Sequence, residues 1–133
     1  LFVPNYIPKL SIKQSGVSTA ILNQNPSSRA MKSLARASLR VEILNGTGKS
    51  GVAQKVANLL MQQGFFVTKI NNAKHFNYSH TKLIDWKGNF DIALGLAKLL
   101  NVDANELMLQ HKPKQAVDLS VIIGKNYKQI KGI

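Results

Sequence analysis

Apolar positions along the chain follow two rhythms, short runs in some segments and spacings of three or four in others. Leu39, Val41, Ile43 and Leu44 form a short, largely apolar run that reads as a buried strand over 39–44. Val52, Val56, Leu59 and Leu60 follow at the i, i+4, i+7, i+8 spacing of one helix face, which predicts a helix over 51–63. Alternation then returns over 65–70, where Phe65, Val67 and Lys69 would share one face of a strand and Phe66, Thr68 and Ile70 the other. A polar loop over 71–80 gives way to a strand over 81–86. Ile92, Ala93, Leu96, Leu99 and Leu100 then define a second amphipathic helix ending near Asn101. A short strand over 107–110 and an apolar strand over 119–124 complete the series. The order β-α-β-β-α-β predicts an α/β fold, an α+β sandwich with a mixed sheet of four to five strands and two helices on one face. Its opening β-α-β is expected to cross over with the right hand.

Punctuation between these segments is equally readable. Asn45-Gly46-Thr47-Gly48 supplies residues that tolerate positive φ at the end of the first strand, and Ser50 is placed to cap the helix that follows. Gly64 stops that helix, and Asn89 is the expected cap of the second. Gly48-Lys49-Ser50 invites a phosphate-loop reading, but the Walker spacing puts its first glycine at Ile43, inside the strand. The one later strand that ends in an acidic residue carries Asp85 beside Trp86, a poor setting for magnesium. Nucleotide hydrolysis is thereby disfavoured.

Composition adds charge to this picture. The 133-residue chain has a formal net charge of +12, and no acidic residue precedes Glu42. Lys9, Lys13, Arg29, Lys32, Arg36 and Arg40 make the first third a basic arm, rich in Ser, Asn, Gln and Pro, which reads as a largely disordered linker over 1–38. Within it, the segment LFVPNYIP is an apolar, extended element suited to a partner, and Ser27 or Ser28 would cap a short helix carrying Ala30, Met31, Leu34 and Ala35. The folded domain is expected over 39–127 and a basic tail over 128–133. Such a field attracts polyanions in general: nucleic acid, wall polymers, or anionic lipid headgroups met through the arm. No run approaches the roughly 18 apolar residues of a membrane span, and the absence of Cys removes disulfides and thiolate chemistry. The chain begins with Leu1, so the reading expects a signal or anchor upstream.

Candidate chemistry concentrates in the 71–80 loop. Asn72, Lys74, His75 and Tyr78, with Trp86 just beyond, combine rings that stack on sugars or bases with directional hydrogen-bond donors. Lys49, beside the start of the first helix, is placed to hold a carboxylate or phosphate. His75, His80 and His111 lack the spacing and companion carboxylates of a metal site, so no metal or cofactor is expected. Asp85 and Asp91 do not make an acid/base pair, because Asp91 falls in a first helical turn where its charge complements the dipole. No nucleophile and base converge in the sequence, and no catalytic residue is assigned.

Three stretches, LRVEILNGTGKSGVA, QGFFV and LSVIIGKNY, together resemble the LytR C-terminal domain family. The matching positions are Asn45, Gly46, Gly51, Ala53, Gly64, Phe65, Val67, Val121, Gly124 and Tyr127, of which Asn45, Gly46 and Gly51 are first explained by a tight turn. The resemblance implies a bacterial cell-envelope domain, extracytoplasmic or periplasmic, with no assigned reaction. It implies binding to peptidoglycan or an associated anionic wall polymer, or scaffolding among envelope proteins. An RNA-recognition motif shares the strand and helix order, but Thr81–Trp86 reads TKLIDW where that motif needs base-stacking aromatics, which argues against nucleic acid. The oligomeric state is open.

Overall fold

The computed structural model describes residues 26–133. The chain divides into two units, Leu1–Leu34 and Ala35–Ile133. The LFVPNYIP segment lies outside the described residues. Within the region read as a linker, Pro26–Ser38 forms a helix, α1, with proline at its first turn, where a missing N–H costs nothing. Among the described residues no helix is long and apolar enough to cross a membrane.

The second unit is a five-stranded sheet with two helices. Its elements are β1 (Arg40–Asn45), α2 (Val52–Gln62), β2 (Phe66–Asn72), β3 (Lys82–Asp85), α3 (Phe90–Leu99), β4 (Leu107–Leu109) and β5 (Leu119–Ile123). Strand order is β2-β1-β5-β3-β4. β1 runs parallel to β2 and β5, β3 parallel to β4, and β3 antiparallel to β5. The short strand expected over 107–110 is present as Leu107–Leu109 and pairs with β3, so the full series is β-α-β-β-α-β-β. Each βαβ unit joins neighbouring strands, unlike the split βαβ of an RNA-recognition motif. A half-turn about an axis normal to the sheet exchanges the two units, so crossovers of the same hand lay both helices on one face.

That face forms the core. Val41, Ile43, Leu83, Leu119, Val121 and Ile123 of the strands are buried against Val56 and Leu60 of α2 and Ala93 and Leu96 of α3. Both helices end alike. Gly64 (φ +87°) and Asn101 (φ +55°) adopt the left-handed conformation, and the amides of Phe65 and Val102 reach back to Leu60 and Ala97 carbonyls.

Three boundary expectations are corrected. A bulge in β2, opposite the Val41–Glu42 step of β1, leaves Thr68 unpaired, so Ile70, not Lys69, lies opposite Ile43, at the exposed margin of the sheet. Asn89 occupies the cap position of α3 without a side-chain bond; Asp85 Oδ1 instead accepts from the amides of Lys87, Gly88 and Asn89 at 3.2, 3.0 and 3.0 Å. Residues 128–133 are not a free tail, because Ile130 is buried in the core and Ile133 packs on it.

Candidate functional site

Parallel β1, β2 and β5 finish at one end of the sheet, where antiparallel β3 begins, and the loops gathered there carry the candidate residues. Asn45 is buried and ties the first loop: its Nδ2 donates to the Lys49 carbonyl at 2.8 Å, and its Oδ1 accepts from the Thr47 amide at 2.9 Å and hydroxyl at 2.6 Å. Positive φ is needed at Gly48 and Gly51. Gly46 is required by contact instead. A Cβ there would lie 2.6 Å from the Tyr78 ring and 2.7 Å from the Ile123 carbonyl oxygen.

Tyr78 is thus seated on the turn of β1, with its carbonyl accepting from the Lys125 amide at 2.8 Å. His75 stacks on Tyr78, ring centroids 4.3 Å apart and planes within 10°. The Asn77 amide donates to His75 Nδ1 at 3.1 Å, so the imidazole is held as a platform with that nitrogen occupied. Gly124 closes against the far end of this loop, since a Cβ there would sit 2.2 Å from the His80 carbonyl carbon.

The start of α2 lies at the same end of the sheet. Ser50 does not cap it; Gly51 holds the cap position with no side-chain bond, and no acidic residue lies in the first turn. The loop needs no Ser50 cap because Asn45 already fixes its path. A shallow groove of about 340 Å³, lined by Asn45, Ser50, Gly51, Gln54, Asn71 and Asn72, lies against the start of α2. At the start of α3, by contrast, Asp85 and Asp91 supply negative charge. Among the described residues, Arg40, Lys82 and Lys87 form ion pairs, while Lys49, Lys74 and Lys125 have no carboxylate partner.

Lys49, Asn72, Lys74, His75 and Tyr78 are therefore brought to one end of the sheet. Trp86 is not. It follows β3, which runs away from that end, and its amide bonds the Asp118 carbonyl just before β5 begins. Lys125 and Gln54 were missed as neighbours of the site, and the signal available for Lys125 was its place directly after the last apolar strand. The three histidines are dispersed: His75 on the platform, His80 beside Ser79, and His111 just past β4. Among the described residues no three His, Cys, Asp or Glu side chains come together as a metal site.

Around Trp86 several polar groups are tied to one another. Its Nε1 donates to Ser120 Oγ at 2.7 Å, which donates to Glu42 Oε2 at 2.6 Å. Asp118 accepts from the Arg40 amide at 2.7 Å and pairs with Lys87 at 3.3 Å. Burial raises the Asp118 pKa, but the hydrogen bonds from Arg40 and Lys87 and the Lys87 charge outweigh it and hold the carboxyl below its ordinary value.

No curated protein matches the chain. Among solved structures, the soluble domain of a conserved hypothetical secreted protein from Mycobacterium marinum matches with a TM-score of 0.53 at 18% identity, covering 74% of this chain and 69% of that one. That similarity is one of fold. A profile of the family described as LytR cell envelope-related transcriptional attenuator, LytR_C, matches residues 38–127, the span that contains the whole sheet, both of its helices and the Gly46 and Gly124 contacts. The chain belongs to the LytR_C family of cell-envelope domains.

Proposed function

We propose that the domain is a non-enzymatic binding module of the cell envelope that contacts peptidoglycan or an associated anionic wall polymer. The observation that carries this reading is the His75–Tyr78 stack, seated on Gly46 and flanked in sequence by lysines without carboxylate partners. An aromatic platform offers a face to sugar C–H groups, and Lys49, Lys74 and Lys125 offer cations to carboxylates or phosphates. The first-turn amides of α2, which no side chain caps, add donors of the same preference. His75 is arranged for stacking, with its Nδ1 already accepting a backbone proton, which supports binding over acid/base chemistry.

Cosedimentation of the purified chain with isolated peptidoglycan tests the reading, with single-stranded RNA as the competing polyanion and a salt series to remove diffuse attraction. Wild type is expected to pellet at moderate salt. His75→Ala and Lys49→Glu, both at exposed positions, are each expected to weaken binding by roughly threefold to tenfold. Unchanged pelleting of both variants, or equal salt-resistant binding to RNA, would overturn it.

A second reading, protein scaffolding within an envelope assembly, is favoured by β2. It is an edge strand exposed along nearly its whole length, with Phe66 half-exposed, as strand addition by a partner requires. Failure of the wild-type chain to pellet at any salt would favour it.

A further inference from the structure

We propose that Trp86 and Lys112 form a second contact for the wall glycan, at the opposite end of the sheet from the His75–Tyr78 platform, and that it takes a sugar ring bearing a carboxylate. The inference rests on the reading of the domain as a peptidoglycan binder and adds a place that the 71–80 loop does not reach.

Trp86 is the single tryptophan of the chain. Its indole is fixed from beneath: Nε1 donates to Ser120, itself 1% exposed, and Ser120 donates to Glu42. A serine at the second position of β5, where every other position is apolar, has a reason here, since an aliphatic side chain would fill the space without orienting the ring. The ring is partly exposed. Above it, the Lys112 amide bonds the Trp86 carbonyl at 2.9 Å, and the Lys112 ammonium lies 5.8 Å from the ring centroid. That is near the outer limit of a cation–π contact, about 6 Å, so the ammonium is held loosely and is free to meet an anion at the edge of the ring.

The loop that positions Lys112 also borders a shallow, open hollow of about 410 Å³, lined by Lys112, Pro113, Lys114 and Gln115. Neither Lys112 nor Lys114 has a carboxylate partner among the described residues, whereas Arg40 and Lys87 nearby are committed to Asp118. A flat ring, two uncommitted cations and one amide match a sugar face, its carboxylate and its acetamido group. Thr81 and Trp86 are separated by the length of β3, roughly 17 Å, so a polymer can meet both contacts, and each then raises the effective concentration at the other.

The single tryptophan makes the test direct. Peptidoglycan glycan strands stripped of their stem peptides, so that the sugar carboxylates are free, are titrated into the full chain while Trp86 emission and its quenching by acrylamide are followed, beside neutral chitin oligosaccharides. A saturable emission change with protection from quencher is expected. Lys112→Ala should weaken it about threefold and Lys112→Glu by more, with circular dichroism unchanged because Lys112 is exposed. If the wild-type chain pellets with intact peptidoglycan while emission and both variants are silent, the second contact is wrong and the first reading stands. If neutral oligosaccharide acts at equal affinity, the carboxylate preference is overturned. If the chain does not pellet at all, both proposals fall.

Discussion

Gly124→Ala is expected to be among the most damaging single-methyl additions in the domain. A Cβ at this position would lie 2.2 Å from the His80 carbonyl carbon, 2.4 Å from its oxygen and 2.7 Å from the Thr81 nitrogen, all backbone atoms with no rotamer to escape into. Restoring ordinary contact requires the strands or loop to part by about 1 Å or more, since packed carbon atoms sit roughly 3.5–4.0 Å apart. Hydrogen bonds span that gap: Gly124 amide to Thr81 Oγ1 at 3.1 Å, Lys125 amide to Tyr78 carbonyl at 2.8 Å, and Thr81 amide to Asn126 Oδ1 at 2.8 Å. At about 1 kcal/mol each, their weakening and the overpacking together cost on the order of 3 kcal/mol. For a domain of this size that lowers the melting temperature by roughly 10–20 °C. The control is Gly95→Ala in the middle of α3, where a new Cβ meets nothing within 4 Å and φ is ordinary. There the change should stabilise by about 0.5–1 kcal/mol, through helix propensity. Thermal unfolding followed by circular dichroism separates the two signs. A Gly124→Ala variant melting within a degree or two of wild type would refute the close approach of β5 to the His80 backbone.

Other consequences follow from the buried carboxylates. Asp118 has its pKa depressed in the folded state, so its stabilisation is complete above the unfolded value near 3.9 and is lost as pH falls through the lower folded value. Asp118→Asn should therefore destabilise at neutral pH and flatten the acid limb of a melting-temperature profile, while an unchanged limb would assign acid sensitivity elsewhere. Asp85→Ala leaves three amides before α3 without their acceptor and should cost about 2–3 kcal/mol. Asp85→Asn keeps Oδ1 and places its amide where the buried Oδ2 has no partner, so chemical denaturation should find it much closer to wild type. Asn101→Gly relieves the left-handed strain at the end of α3 and should raise the melting temperature slightly.

The apolar periods of 39–67 were enough to read the first βαβ unit, because each segment has one unambiguous rhythm and Gly64 ends the helix in its expected conformation. Pairing was less legible. The bulge at Thr68 puts Ile70 opposite Ile43 through hydrogen-bond register, which alternation alone does not carry. Ser50 and Asn89 have the chemistry of helix caps, yet Asn45 and Asp85, both buried at strand ends, hold those loops from a distance of several residues. Ile130 looked like part of a basic tail because its burial depends on the core reaching back to it. For the site, the clustering of Lys49 with the 71–80 loop follows from β1 and β2 being parallel neighbours. The separation of Trp86 does not follow from sequence, since six residues past His80 is near along the chain and the length of a strand away in space.

Pelleting with purified peptidoglycan, at about 0.3 M salt where surface attraction between separated charges is largely screened, bears most directly on the function. The wild-type chain should remain bound there, and His75→Ala combined with Lys49→Glu should markedly lower the bound fraction without changing the melting temperature. Equal binding of wild type and the double variant, or complete loss of wild-type binding at that salt, would contradict a specific polymer site at the His75–Tyr78 end of the sheet.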